Sequence, residues 1–196
     1  MQWVIGVDEA GRGPLAGPVA VGIVSVPEGF DVAQEFLGVR DSKKLSEKKR
    51  EEIFTMLEAR AALGDVRFTV EFEDAVTIDE KGIVYAVRTA AWRGIQTEAP
   101  ETVSMVFLDG LLSAPVSYRQ QTIIHGDDLI PIISLASIAA KVMRDRLMND
   151  YDQKFPGYGF AAHKGYGTAL HYAALKKLGP CVIHRYSYLH LDQKQV

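Results

Sequence analysis

Trp3-Val-Ile-Gly-Val-Asp8-Glu9-Ala-Gly11-Arg12-Gly13-Pro-Leu-Ala-Gly17-Pro-Val-Ala-Val-Gly-Ile-Val-Ser-Val26 is the stretch on which the fold turns. Two Val- and Ile-rich runs, Trp3–Asp8 and Pro18–Val26, read as strands separated by a glycine-rich turn. Glycines after a first strand invite a dinucleotide-binding fold and, with it, a cofactor-dependent oxidoreductase. That fingerprint needs a helix to open directly after the glycines, and here a second strand follows. The acids Asp8 and Glu9 would also repel a pyrophosphate. The loop that remains can bring backbone amides and Arg12 close to a sugar-phosphate, because glycine places no side chain in the way.

Outward from this hairpin, a helix pattern starts at Ser46, with Ile53, Phe54, Leu57 and Ala61 on its apolar face. Val66–Phe72 alternates as a third strand, Thr77–Gln96 has helical spacing throughout, and Val103–Leu108 is a buried-strand run ending in Asp109-Gly110. The runs Gln121–His125 and Leu129–Ile133 flank Gly126-Asp127. Helices are expected from Ser134 to about Asp150 and from about Thr168 to Leu178, the second stopped by Gly179-Pro180. Strands first, then strands alternating with helices, predict an α/β fold with a mixed central sheet. The last two helical segments are expected as an appendage on one side.

The 196 residues, 47% hydrophobic and 24% charged, fit a globular chain, read as one domain over 1–196. No run of eighteen apolar residues occurs and no basic segment precedes the first strand, so neither a membrane span nor a secretory signal is expected. A single cysteine, Cys181, excludes an internal disulfide and a multi-cysteine metal site, and suits a reducing cytoplasm. The net charge of −3 hides an asymmetry. Residues 1–152 carry 16 Lys/Arg against 24 Asp/Glu, whereas residues 153–191 carry five cations, no acid and four of the five histidines. That is the charge pattern of a polyanion-binding surface beside a cation site, although surface charge also segregates without function.

The carboxylates at strand ends carry the chemistry. Asp8 and Glu9 close the first strand, Asp109 closes the Val103–Leu108 strand, and Asp127 lies in the turn before the Ser134 helix. Crevices at strand ends are where α/β sheets bind ligands. Several carboxylates without His or Cys suit hard ions such as Mg²⁺ or Mn²⁺, and two such ions support in-line displacement at phosphorus. Taken singly, Asp109 or Asp127 is better explained as a turn former. Two adjacent acids ending an apolar strand are harder to explain that way, because burying charge is costly unless something binds it.

Three other segments could hold an anionic backbone. Asp41-Ser-Lys43-Lys44-Leu places cations before a helix capped by Ser46, and locally reads best as a solvated helix start. Ser134, Ser137, Lys141 and Arg144 share a face of their helix, whose default role is core packing. Tyr158-Gly-Phe-Ala-Ala-His163-Lys164-Gly165-Tyr166-Gly-Thr168 offers aromatics able to stack on a ribose, or equally to cover the core's edge.

In combination and in order, Asp8-Glu-Ala-Gly-Arg-Gly-Pro14, Asp41-Ser-Lys-Lys-Leu-Ser46, Leu108-Asp-Gly110, Gly126-Asp127, Ile133-Ser with Ala140-Lys-Val-Met-Arg-Asp145, His163-Lys-Gly-Tyr-Gly-Thr168 and Gly179-Pro180 with His184-Arg185 resemble the bacterial ribonuclease HII family. The resemblance runs from Trp3 to about Tyr188. It implies a ribonuclease H-like fold, a five-stranded mixed sheet flanked by helices, with a basic helical C-terminal part over about 153–191. It implies Mg²⁺- or Mn²⁺-dependent hydrolysis of the RNA strand of RNA–DNA hybrids. It also implies incision 5′ of single ribonucleotides embedded in duplex DNA, leaving 3′-hydroxyl and 5′-phosphate ends. The family's metal-binding and catalytic acids map onto Asp8, Glu9, Asp109 and Asp127, with Asp128 a rival for the last place. Its substrate-binding loop maps onto Gly11, Arg12 and Gly13 and its junction-sensing tyrosine onto Tyr166. Lys43, Ser134, Lys164 and Arg185 follow as phosphate or supporting contacts. The expected protein is a cytoplasmic monomer with no organic cofactor and no membrane partner. The tail after Leu191 shows no clamp-binding motif. Leu135, where alanine is more usual, and Tyr186-Ser-Tyr188 depart from the pattern without touching the expected ligands. The remaining rival is an RNA–DNA hybrid-binding module without activity.

Overall fold

The computed structural model describes residues 2–39, 44–99, 102–110 and 112–189. The hairpin forms as read. Strand β1 (Trp3–Ala10) pairs antiparallel with β2 (Val19–Pro27), which pairs antiparallel with β3 (Arg67–Glu73). On its other side β1 pairs in parallel with β4 (Val103–Asp109), and β4 with β5 (Gln120–Ile123), giving the order β3-β2-β1-β4-β5. β1 and β2 are covered on both faces, which is why they read as continuous apolar runs and not as alternating ones.

The short helix α1 (Val32–Glu35) follows β2. Helix α2 (Glu47–Leu63) then starts where Ser46 accepts a hydrogen bond from the Lys49 amide at 3.2 Å, and ends on Gly64. The segment expected as one helix over Thr77–Gln96 is two, α3 (Ala75–Lys81) and α4 (Ile83–Glu98). They break at Gly82, whose φ of +83° lies outside the helical region. α4 seals one face of the sheet with Ala86, Val87, Ala90, Ala91 and Ile95 against Ile5, Val7, Val21 and Ile23.

A one-turn helix α5 (Gly126–Leu129) precedes α6 (Pro131–Lys154). α6 starts three residues before the expected Ser134, because Pro131 fits the first helical position, where no amide donor is needed. The Leu129–Ile133 run therefore belongs to helix ends. α6 is no appendage, as expected from sequence, but the central layer of the second face. Its backbone lies so close to the sheet that a Cβ on Gly6 would stand 2.5 Å from the Ile132 carbonyl oxygen, and one on Gly22 2.1 Å from that of Ala136. What lies to one side is the remainder: α7 (Phe160–His163), α8 (Ala169–Leu178) and a 3-10 turn at Tyr186–Tyr188. These pack with Leu15, Ala16 and Met148 in a smaller apolar cluster against the glycine-rich loop.

Candidate active site

Val7 of β1 stands opposite Leu108 of β4, so Asp8 and Asp109 leave neighbouring parallel strands side by side. Val106 and Leu108 face α4, so the pleat turns Asp109 to the α6 side. Asp8 points the same way. Its carboxylate takes hydrogen bonds from the Ser137 hydroxyl of α6 and, at 2.7 Å, from the Glu9 amide. Asp8 is only 3% exposed. Burial, reinforced by the charges of Glu9 and Asp109, pushes its carboxyl well above the usual range, and the two hydrogen bonds offset this only in part.

Asp109 accepts from the Gly126 amide at 2.6 Å, which ties the end of β4 to the start of α5. Asp127, the next residue, is buried, and its carbonyl accepts from the Ser134 hydroxyl at 2.6 Å. Its rival Asp128 is more exposed, and both carboxylate oxygens are taken by Lys44 Nζ at 2.5–2.6 Å. Glu9 pairs with Arg12 at 3.1 Å, and among the neighbouring carboxylates its charge acts on Asp8 more strongly than that of Asp109. Among the described residues, no three His, Cys, Asp or Glu side chains form a group able to hold a metal ion. The all-oxygen donors and the only partly compensated burial of Asp8 nonetheless fit a hard divalent cation.

The Gly11-Arg12-Gly13 loop is shaped from beneath by two buried arginines. Arg185 donates to the carbonyls of Gly11 (2.7 Å), Arg12 (2.8 Å) and Gly17 (2.9 Å). Arg144 donates to those of Pro18 (2.9 Å), Lys164 (2.9 Å) and Ala16 (3.2 Å). Gly11 has φ +92°, and a Cβ there would stand 2.0 Å from Arg144 Nε. Gly13 is exposed with open space around it, and Arg12 is partly exposed. Two residues expected as phosphate or supporting contacts have their polar groups taken up within the protein. Arg185, 0% exposed, spends its donors on the loop, and Ser134, 2% exposed, spends its hydroxyl on the carbonyls of Asp127 and Ile130. Lys164 is half-buried, its ammonium held by Asn149 and the Ala161 carbonyl. Lys43 lies outside the described residues.

The Tyr166 turn sits against this loop. The Leu15 amide donates to the Gly165 carbonyl at 2.8 Å, and a Cβ on Gly165 would stand 2.2 Å from the Ala16 carbonyl oxygen. Tyr166 itself is 44% exposed. Ser137 and Arg144 share the helix face noticed in the sequence, but spacing could not separate support from core packing. The buried histidines His163 and His184 fall within the family-like motifs, but nothing local marked them, or His171, as buried.

A protein-family model described as Ribonuclease HII matches residues 5–191. The chain belongs to the ribonuclease HII family. Ribonuclease HII of Geotalea uraniireducens (strain Rf4) is 48% identical over 183 residues, 93% of this chain and 80% of that protein. The Ruminiclostridium cellulolyticum enzyme is 44% identical over 188 residues, 96% and 70%. Among solved structures, the RNase HII of Archaeoglobus fulgidus, determined in complex with PCNA, superposes with a TM-score of 0.76 at 25% identity, covering 94% of this chain and 93% of that one. Ribonuclease H2 from Pyrococcus horikoshii gives 0.72 at 26%, covering 95% and 93%. The five-stranded mixed sheet with flanking helices is therefore the ribonuclease H fold. As a ribonuclease HII the chain is a hydrolase, a nuclease whose products carry 5′-phosphates. Both the oxidoreductase and the inactive-module readings fall away. No described helix is long and apolar enough to cross a membrane.

Proposed function

We propose that this ribonuclease HII hydrolyses the RNA strand of RNA–DNA hybrids and incises 5′ of single ribonucleotides embedded in duplex DNA, leaving 3′-hydroxyl and 5′-phosphate ends. The observation that carries the reading is the pair Asp8 and Asp109, side by side at the ends of parallel strands, with Asp8 buried and only partly compensated. Asp8, Glu9, Asp109 and Asp127 would hold two Mg²⁺ or Mn²⁺ ions. When bound, such ions activate water and stabilise the departing 3′-oxygen. Glu9 joins the set by exchanging its contact with the partly exposed Arg12, an ion pair worth about 1 kcal/mol or less.

The chain's own groups bind and orient. The amides of the Gly11-Arg12-Gly13 loop face the ribose 2′-hydroxyl, Arg12 steadies a phosphate, and Tyr166 stacks on the ribose at the RNA–DNA junction. Lys164 and the exposed Lys176 and Lys177 add positive charge along the duplex path. We read the chain as one catalytic unit acting as a cytoplasmic monomer. The test is strand cleavage of a DNA duplex carrying one ribonucleotide, with Mg²⁺, Mn²⁺ or EDTA. A single metal-dependent nick on the 5′ side of that ribonucleotide supports the reading. Metal-independent cleavage, or cutting only within long hybrids, overturns it.

A further inference from the structure

Beneath the Tyr166 turn lie three buried histidines whose hydrogen bonds have a direction. The backbone amide of Cys181 can only donate, and it points at His184 Nδ1 at 2.9 Å. The Cys181 thiol, a second donor, is 3.2 Å from the same nitrogen, against one acceptor there, the Cys181 carbonyl, at 3.2 Å. His184 Nδ1 is therefore the acceptor, and a neutral ring carries its proton on Nε2. That nitrogen is 3.0 Å from His171 Nε2. Two ring nitrogens share only one proton, so His171 accepts there and carries its own on Nδ1, 3.0 Å from the Tyr166 carbonyl. His163 stacks on His171 with ring centroids 4.4 Å apart. Its Nδ1 takes the Gly165 amide at 3.2 Å, leaving Nε2–H for the Tyr158 carbonyl at 2.8 Å.

We propose that His171, its tautomer set by His184, is a positioning residue that holds the main chain at Tyr166 so that the exposed ring meets the RNA–DNA junction. The inference rests on the role given to Tyr166 above. His171 and His184 are fully buried and touch no surface a substrate could reach, so they act only through the turn. The Tyr166 amide donates to the His163 carbonyl at 2.9 Å and the Thr168 amide to the Tyr166 carbonyl at 2.8 Å. The relay's last bond thus closes a backbone already held from the other sides. Every link needs a neutral ring, because a proton on His184 Nδ1 or His171 Nε2 would face a donor.

Two measurements on the full chain test this. Imidazole ¹⁵N NMR at pH 7 should find His171 as the Nδ1–H tautomer and His163 and His184 as Nε2–H. An Nε2–H or charged His171 overturns the relay, whatever the enzyme's specificity. The second compares His171→Asn, whose amide can still donate to the Tyr166 carbonyl from the Nδ1 position, with His171→Gln, whose amide reaches only the Nε2 position. The readout is kcat/KM on a single-ribonucleotide duplex divided by that on a long hybrid. His171→Gln should lower this ratio by about tenfold, and His171→Asn should hold it within about twofold, the scale of one hydrogen bond. Equal losses in both variants would make His171 a packing residue. If either variant fails to fold, the tautomer pattern decides. Tyr166→Ala is the control. An unchanged ratio there would remove the junction role of Tyr166 while leaving the relay to the NMR result.

Discussion

Arg185 reaches back across the chain to Gly11 and donates a hydrogen bond to its carbonyl at 2.7 Å, with two further bonds to Arg12 and Gly17. A residue near the end of the described chain thus shapes a loop near its beginning. Burial, and the like charge of Arg144, lower the Arg185 pKa, so the loop carbonyls bind a guanidinium that is costly to keep there.

Arg185→Lys should therefore destabilise the protein by about 3 kcal/mol, since one ammonium cannot replace a fork serving three carbonyls. Denaturant unfolding measures this. A direct phosphate contact would instead leave stability unchanged and weaken substrate binding with a shallower salt dependence.

Asp109→Asn should keep the fold, because an amide oxygen can still accept from Gly126, while cleavage falls by at least about a hundredfold, the scale on which preorganised charge acts in catalysis. Substrate binding, followed by mobility shift in EDTA, should persist. Wild-type cleavage by this variant at millimolar Mg²⁺ would remove Asp109 from the site.

Asp8 has the opposite sign from a salt-bridged carboxylate. Its folded-state pKa is raised, so the charged form weighs against folding, and stability falls as pH rises through the folded value. Asp8→Asn should accordingly raise metal-free stability near neutral pH by about 1 kcal/mol, read as an increase in Tm in EDTA. A lower Tm would mean that the hydrogen bonds from Ser137 and Glu9 outweigh burial.

His184 predicts an acid limb. Burial lowers its pKa from 6.5 to about 4, and His171 shifts in the same direction. Above pH 6.5 the neutral ring is present folded and unfolded, and its contribution is intact. Below it the unfolded chain takes up a proton that the folded one refuses, so stability declines by up to about 1.4 kcal/mol per pH unit for that site. The decline flattens near pH 4. Urea unfolding from pH 7 to 4.5 should show the slope, and His184→Gln should reduce it.

Much of this was legible beforehand because it is local. The strand runs at Trp3–Asp8, Pro18–Val26, Val66–Phe72 and Val103–Leu108, the glycine turn and the Ser46 cap act over a few residues, and each formed close to where it was expected. The break at Gly82 was not, because apolar spacing continues across it while one backbone angle does not. The start of α6 at Pro131 was missed because its apolar residues pass for a strand until the sheet face they cover is known.

By itself the amino-acid sequence determined which acids end which strands, that a strand follows the glycine loop, and, through motifs in order, the family. Only the tertiary structure decided how those groups face. Asp8 is held by Ser137 of α6 whereas Glu9, its neighbour in the chain, pairs with Arg12 of the glycine loop. Asp127 and Asp128 part company because one is buried under α6 and the other meets Lys44. For Arg185, Ser134 and the histidines, one dimension leaves surface chemistry and support both open. They become supports once burial makes each donor find a carbonyl or ring nitrogen from a distant segment, and that partner is chosen by packing and not by spacing.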